Sequence, residues 1–360
     1  MASNDLFVNA GYWFTHTNTQ FPASKIDANL FTHLFCAHAG LNSQTYELSI
    51  SDSQKLLIHE FSKTVKQNNP ELKTLLSIGG DDAKAERFAA MAASFFHRAA
   101  FVRTTIAKAR EGNFDGLDLQ WLYPSSVEDM ANFETLIIEC HNAIIRETTK
   151  SSLPKLILVA TVFYSPHMEN ITYPTQVMIR TLDWVNVIAY DIFTPASSSN
   201  ETGPSSAFFN PRRRDLCGSF GIKIWIEVGL HSKMMVFGIP FHGWAWKLNS
   251  SENHQVFSAA HGAAQGEDIS MEGLIEYRNV KKFIAEKDAN NVALDQRFAI
   301  AYTYSDSTWI AYEDEETIKL KISSVKMDLE LLGYFASNIA ADDENLSLAN
   351  TASDQWRKKT

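Results

Sequence analysis

The 360-residue chain is poor in cysteine, in basic runs and in long apolar stretches, and each shortage excludes something. Its three cysteines, Cys36, Cys140 and Cys217, are odd in number and far apart. That gives neither a disulfide framework nor the ligand spacing of a zinc site, so buried free thiols are expected, with no metal and no cofactor. A formal net charge of −10 without clustered Lys and Arg argues against nucleic acid or an anionic membrane as a partner. The terminal Arg357-Lys358-Lys359 is too short to change this. No segment is long and apolar enough to span a bilayer, and Met1 to Asn9 lacks the charged-then-apolar pattern of an export signal. As written, the sequence reads as a soluble protein without an export signal, cytoplasmic unless a signal has been trimmed from it. Sequons at Asn170, Asn200, Asn249 and Asn345 are about as many as chance supplies and do not indicate secretion.

What the chain does contain is ordinary globular composition, 45% hydrophobic and 21% charged. Apolar, β-rich runs alternate with longer amphipathic segments, the pattern of βα units around a parallel sheet. The runs are Phe7–Trp13, His33–Ala39, Lys73–Ile78, Gly116–Trp121, Leu156–Tyr164, Trp184–Tyr190, Met234–Pro240 and Leu331–Phe335. They are nearly continuous in apolar residues, as strands covered on both faces must be. In Val127 to Thr148, Met130, Phe133, Ile137, Ile138, Ile144 and Ile145 recur at helical spacing and predict a core stripe. Lys84 to Arg110 repeats the pattern with Phe88, Met91, Phe95, Phe101 and Ile106. Eight such units predict an α/β fold, a (β/α)8 barrel whose chemistry sits at the C-terminal ends of its strands. Residues 243–304 break the rhythm with a polar stretch rich in Asn, Ser, Ala and Gly and carrying short pieces such as Ser270 to Lys287. A small α+β domain is therefore expected there, between the seventh and eighth strands, with the barrel formed by 1–242 and 305–360.

One run carries the chemistry: Asn113-Phe114-Asp115-Gly116-Leu117-Asp118-Leu119-Gln120-Trp121-Leu122-Tyr123-Pro124. It resembles the fourth-strand signature DGLDLDWEYP of family 18 glycoside hydrolases. Other landmarks agree in order: Gly11-Tyr12-Trp13, Thr32-His33-Leu34-Phe35-Cys36-Ala37, Ser77-Ile78-Gly79-Gly80, Asp183-Trp184-Val185-Asn186, Ala189-Tyr190-Asp191, Gly238-Ile239-Pro240 and Leu332-Gly333-Tyr334-Phe335. Over nearly its whole length the chain is similar to the plant class V chitinases, including their inserted α+β domain. Members of that group are mostly secreted or vacuolar.

The resemblance implies a mechanism and then removes its main part. In the family the substrate's acetamido oxygen attacks the anomeric carbon, and the Glu ending DxxDxDxE donates the proton to the leaving group. The Asp two residues earlier orients the acetamido group. Here those positions are Leu122 and Gln120. A leucine donates no proton at any pH, and a positioned general acid is worth about a hundredfold to ten-thousandfold in rate. Tyr12, Asp115, Asp118, Tyr190 and Asp191 match the family, and Asp115 and Asp118 are expected to support the barrel interior. Other cleft positions depart from it: His38 stands in place of a phenylalanine, Phe241-His242 in place of Tyr-Tyr, and Ser337-Asn338 in place of the floor tryptophan and its histidine.

A strand-end histidine is more often a satisfied structural group than a catalytic one, yet His38 and His242 replace aromatics where this fold places its chemistry. A metal held by His38, His242 and Asp118 has no local spacing to support it. Trp13, Trp121, Phe163, Phe193, Trp244, Trp246 and Trp309 are each either core or a stacking surface near the rim. Expected ligand contacts are Tyr12, His38, Asp118, Gln120, Leu122, Phe163, Tyr190, Asp191, Phe193, Phe241, His242 and Ser337. Three readings stand. One is a non-hydrolytic, lectin-like protein that binds N-acetylglucosamine oligomers or N-glycans. Another is an enzyme of small-molecule metabolism using His38, Asp191, Tyr190 or His242 as acid and base. The last is an inhibitor or storage protein whose working surface is not the cleft.

Overall fold

The computed structural model describes residues 7–80 and 83–358. Residues 1–6, within the segment read for an export signal, and Lys359 of the terminal basic run lie outside the described residues.

The predicted βα alternation is realised strand by strand. The barrel strands are β1 (Val8–Phe14), β2 (His33–Leu41), β3 (Lys73–Gly79), β4 (Gly116–Gln120), β5 (Ile157–Phe163), β6 (Trp184–Ile188) and β7 (Met235–Pro240). Next come the strands of a second sheet: β8 (His242–Leu248), β9 (Ala260–Ala263), β10 (Leu274–Glu276), β11 (Asn290–Asp295), β12 (Ile300–Ser305) and β13 (Thr308–Tyr312). The chain then returns through β14 (Gly333–Ser337). Pairing runs β1-β14-β7-β6-β5-β4-β3-β2 and closes from β2 back to β1, an eight-stranded (β/α)8 barrel. Helices are α1 (Asp52–Lys66), α2 (Ala85–Ala92), α3 (Phe95–Glu111), α4 (Val127–Ser151), α5 (Thr175–Thr181), α6 (Gly218–Glu227), α7 (Tyr277–Lys287), α8 (Glu315–Met327) and α9 (Ser347–Arg357).

Two amphipathic predictions need correction. The stretch Lys84 to Arg110 is two helices, because Ser94 leaves helical geometry and its side chain caps α3 by accepting from the His97 amide. Phe95, expected in the core stripe, falls on the first turn after that break and is 63% exposed. In α4, Met130, Phe133, Ile137 and Ile144 are buried, whereas Ile145 turns to solvent.

By its internal contacts the chain divides into two compact units. The first comprises Met1–Val187, Ile224–Val236 and Leu331–Gly333, and the second Ile188–Lys223, Phe237–Glu330 and Tyr334–Thr360. Within the second unit a six-stranded sheet runs β9-β8-β13-β12-β11, with β10 paired to β8. Its core gathers Phe193, Trp246, Phe298, Ile300 and Trp309. The loop after β6 is part of that packing: the Thr202 amide donates to Ser258 O at 2.9 Å, and the Phe208 amide to Phe298 O at 2.9 Å. Lys321 on α8 is buried beside Glu313 and donates to the Ser206 carbonyl at 2.6 Å, anchoring the same loop. All three cysteines are free and buried, and burial pushes the Cys36 and Cys140 thiols up. No helix among the described residues is long and apolar enough to cross a membrane.

Candidate functional site

In the first unit the motif strand β4 places Asp118 and Gln120 on one face, two residues apart, so that they occupy successive layers along the strand. Asp118 has no solvent exposure. Its Oδ2 accepts from Tyr12 Oη at 2.8 Å, Ser77 Oγ at 2.6 Å and Gln120 Nε2 at 2.9 Å, and its Oδ1 from Thr161 Oγ1 at 2.8 Å. These donors come from β1, β3, β4 and β5, so one carboxylate ties four strands together. Burial raises its pKa, and the four hydrogen bonds offset that only in part, so the carboxyl stays above its ordinary value. Behind it, Trp184 Nε1 donates to Asn186 Oδ1 at 3.0 Å and Asn186 Nδ2 donates to Tyr12 Oη at 2.6 Å. Burial and the neighbouring Asp118 carboxylate raise the Tyr12 phenol well above its ordinary value.

One layer nearer the C-terminal strand ends, His38 Nε2 lies 3.1 Å from Gln120 Oε1. His38 reaches it because the β2–β3 register slips between Cys36 and Ala39. Gly80 leaves the ring room: a Cβ there would sit 2.4 Å from His38 Cε1. Phe14 meets the ring edge-on at 5.1 Å, and Gln54 Nε2 donates to the His38 carbonyl at 3.0 Å. Leu122, just past the end of β4, is half-buried. The ring of Tyr123 beside it packs on Phe163 at 5.2 Å.

The second unit carries a separate constellation. Asp191, just after β6, adopts a left-handed backbone with φ 56°. Its Oδ1 accepts from His242 Nε2 at 2.9 Å and from Trp244 Nε1 at 2.7 Å. Burial pushes the His242 pKa down, but the Asp191 charge, its hydrogen bond and the Ser337 backbone together outweigh burial and leave it raised. Tyr190 meets the His242 ring edge-on at 5.9 Å and Phe335 at 6.2 Å. The Phe241 amide donates to the Ser337 carbonyl at 2.6 Å.

The expected contact residues thus fall into two groups, and several are not surface groups at all. Trp13 and Trp121 are buried in the first unit, stacked on Phe61 and Phe88, and Trp246 and Trp309 are buried against each other in the second. Phe193 and Phe241 are also buried, whereas Phe163 and Trp244 are half-buried. Asp115 sits just before β4, where its carboxylate accepts from Lys66 Nζ at 2.6 Å and from the Thr74 amide of β3 at 2.8 Å. Two features went unread in the sequence. One is the chain from Asp118 through Gln120 to His38, and the other is Trp244 as a donor to Asp191. The first depends on a register slip that no local pattern signals. The second could have been found from the parity of β8, where residues 242 and 244 share a face.

Comparison with known proteins places this geometry among relatives. The model of the glycosyl hydrolases family 18 matches residues 8–342. A class V chitinase of Arabidopsis thaliana is 40% identical over 98% of this chain and 90% of its own length. A class V chitinase structure from Nicotiana tobaccum, a mutant in complex with NAG4, superposes with a TM-score of 0.93 at 37% identity, covering 98% of this chain and 100% of that one. The chitinase-like agglutinin of Robinia pseudoacacia superposes with a TM-score of 0.86 at 35% identity, over 97% and 99% of the two chains.

Proposed function

Because the chain belongs to family 18 of the glycosyl hydrolases, we propose that it is a chitinase-like protein that binds N-acetylglucosamine oligomers or N-glycans without cutting them. One observation carries this reading: at the position where the resemblance puts the general acid stands Leu122, a half-buried side chain of carbon and hydrogen alone. Nothing beside it in the motif substitutes. Asp118 is enclosed and accepts four hydrogen bonds, and the Gln120 amide is engaged with Asp118 and His38. Losing a general acid removes about 3–5 kcal/mol of transition-state stabilisation, while a barrel held by Asp118 keeps its strand ends in place for binding. An agglutinin among the structural neighbours supports the same direction.

The experiment pairs two measurements on the purified protein. With a chitin tetramer, reducing-end release at the level of the buffer control is expected, and calorimetric titration yields a saturable binding isotherm for the tetramer or an N-glycan. Hydrolysis at the rate of an active class V enzyme, abolished by a cleft substitution, sinks the non-hydrolytic reading. Absence of binding at millimolar concentrations sinks the lectin reading and leaves the second one.

That second reading is an enzyme acting on a small molecule by acid–base chemistry, and the Asp191–His242 pair favours it. A carboxylate at 2.9 Å holds this imidazole toward its protonated form, the state from which it can donate a proton. Turnover of a compound from a metabolite screen, lost in Asp191→Asn and His242→Phe, is the result that establishes it.

A further inference from the structure

A further ionisable pair, Lys321 on α8 and Glu313 just after β13, lies enclosed in the second unit. An ammonium offers three N–H donors, and three acceptors meet them here: the Ser206 carbonyl at 2.6 Å, Ser206 Oγ at 3.4 Å and Glu313 Oε1. Ser206 Oγ in turn donates to the same Glu313 oxygen. Burial pulls the Lys321 pKa down, and the Glu313 charge opposes that. A buried ion pair is by itself weak evidence of stabilisation, because desolvating two charges costs about as much as their attraction returns. What this pair does accomplish is local. Two of the three lysine contacts fall on one residue, Ser206, in the loop after β6.

The neighbouring peptide connects that residue to the site. Ser205 O accepts from the Ile192 amide at 2.9 Å, and Ile192 directly follows Asp191. Asp191 has a φ of 56°, a left-handed backbone that a residue with a Cβ keeps where its surroundings impose it. The two arms of the loop also touch beside this bond, since a Cβ on Gly203 would sit 2.4 Å from Phe193 Cβ. Elsewhere the loop has its own anchors: the Thr202 amide donates to Ser258 O and the Phe208 amide to Phe298 O. Loss of Lys321 would therefore free the Ser205–Ser206 segment without freeing the whole loop.

We propose that Lys321 is a positioning residue for Asp191: by fixing Ser206 it holds the Ser205 carbonyl against the Ile192 amide, and so sets the backbone from which the Asp191 carboxylate meets His242 and Trp244. The functional meaning of that carboxylate rests on the acid–base reading above, but its placement is a property of the free protein.

The test uses the full-length protein without ligand. Lys321→Met removes the donor to Ser206 O but leaves Glu313 as an unpaired buried charge. Lys321→Met with Glu313→Gln leaves no charge unpaired, keeps an acceptor for Ser206 Oγ, and decides the matter if the single variant fails to fold. Hydrogen exchange is expected to show the Ile192 amide losing about fivefold to tenfold more protection than the Thr202 amide, roughly what one net hydrogen bond is worth. In an NMR titration the His242 pKa should move from its raised value toward the ordinary imidazole value of about 6.5. A stability loss in which Ile192 and Thr202 lose protection alike and His242 titrates as in the parent overturns the proposal, because a merely structural lysine gives that result. Neither readout depends on sugar binding or turnover, so failure of either reading of function leaves this test intact.

Discussion

Two histidines stand at strand ends of this barrel, and what each one faces sets them apart. His38, in the first unit, meets a neutral amide that is itself bound to an enclosed carboxylate. His242, in the second, meets a carboxylate directly, and the Asp191 side chain keeps 34% of its exposure. An amide between charge and ring transmits direction without supplying charge. Direct contact supplies the charge itself and raises the pKa of the ring. The same side chain thus faces an amide oxygen in one place and a carboxylate in the other, and for His242 the carboxylate outweighs the effect of burial.

Four measurements break or sharpen this contrast. The largest effect is expected at the enclosed carboxylate: Asp118→Ala leaves the buried donors of Tyr12, Ser77, Thr161 and Gln120 without their acceptor and costs roughly 3 kcal/mol or more in urea unfolding. A loss below about 1 kcal/mol there would show that the first unit does not depend on its relay. Asp191→Asn, at a side chain that keeps about a third of its exposure and is therefore screened by solvent, costs about 1 kcal/mol or less, and it lowers the His242 pKa toward the ordinary imidazole value in an NMR titration.

The third is a pH profile. The folded-state pKa of His242 lies above its unfolded value of about 6.5, so its contribution to stability is complete below about pH 6.5 and disappears as pH rises through the folded value. Unfolding free energy measured from pH 6 to 9 should fall in that window for the parent and less so for Asp191→Asn. Equal slopes in the two proteins would mean that the pair does not couple to folding. The smallest effect belongs to Trp244→Phe, which removes one of the two donors to Asp191 Oδ1 while keeping an aromatic ring. It should cost about 0.5–1.5 kcal/mol and move the His242 titration only slightly.

Much of the architecture was legible because buried parallel strands leave a nearly continuous apolar record. Each of the eight runs contains an observed barrel strand or overlaps it, with ends displaced by one or two residues, as at Leu331–Phe335 against Gly333–Ser337. The amphipathic period around Ala93 was less informative, because one serine cap outweighs a stripe of apolar residues and periodicity does not record the break. Among the site residues, Leu122 and Gln120 announced themselves by standing in a recognisable motif. Their neighbours did not. That His38 reaches Gln120 depends on the register slip in β2, and that Trp244 serves Asp191 rather than a ligand depends on which face of β8 turns toward the loop after β6. Both are tertiary facts, decided by contacts between residues 82 and 53 positions apart in the chain.

Gly80 makes the room that His38 occupies. Its φ of +54° and the 2.4 Å that would separate a Cβ from the imidazole mean that the slot for His38 exists only because position 80 has no side chain. That glycine belongs to the Ser77-Ile78-Gly79-Gly80 landmark shared with the family pattern. The room for the imidazole is thus provided by a residue of a shared landmark and not by either exchanged position. The reverse constraint is a local one: a side chain at position 80 would meet the His38 ring and would also have to adopt a left-handed backbone.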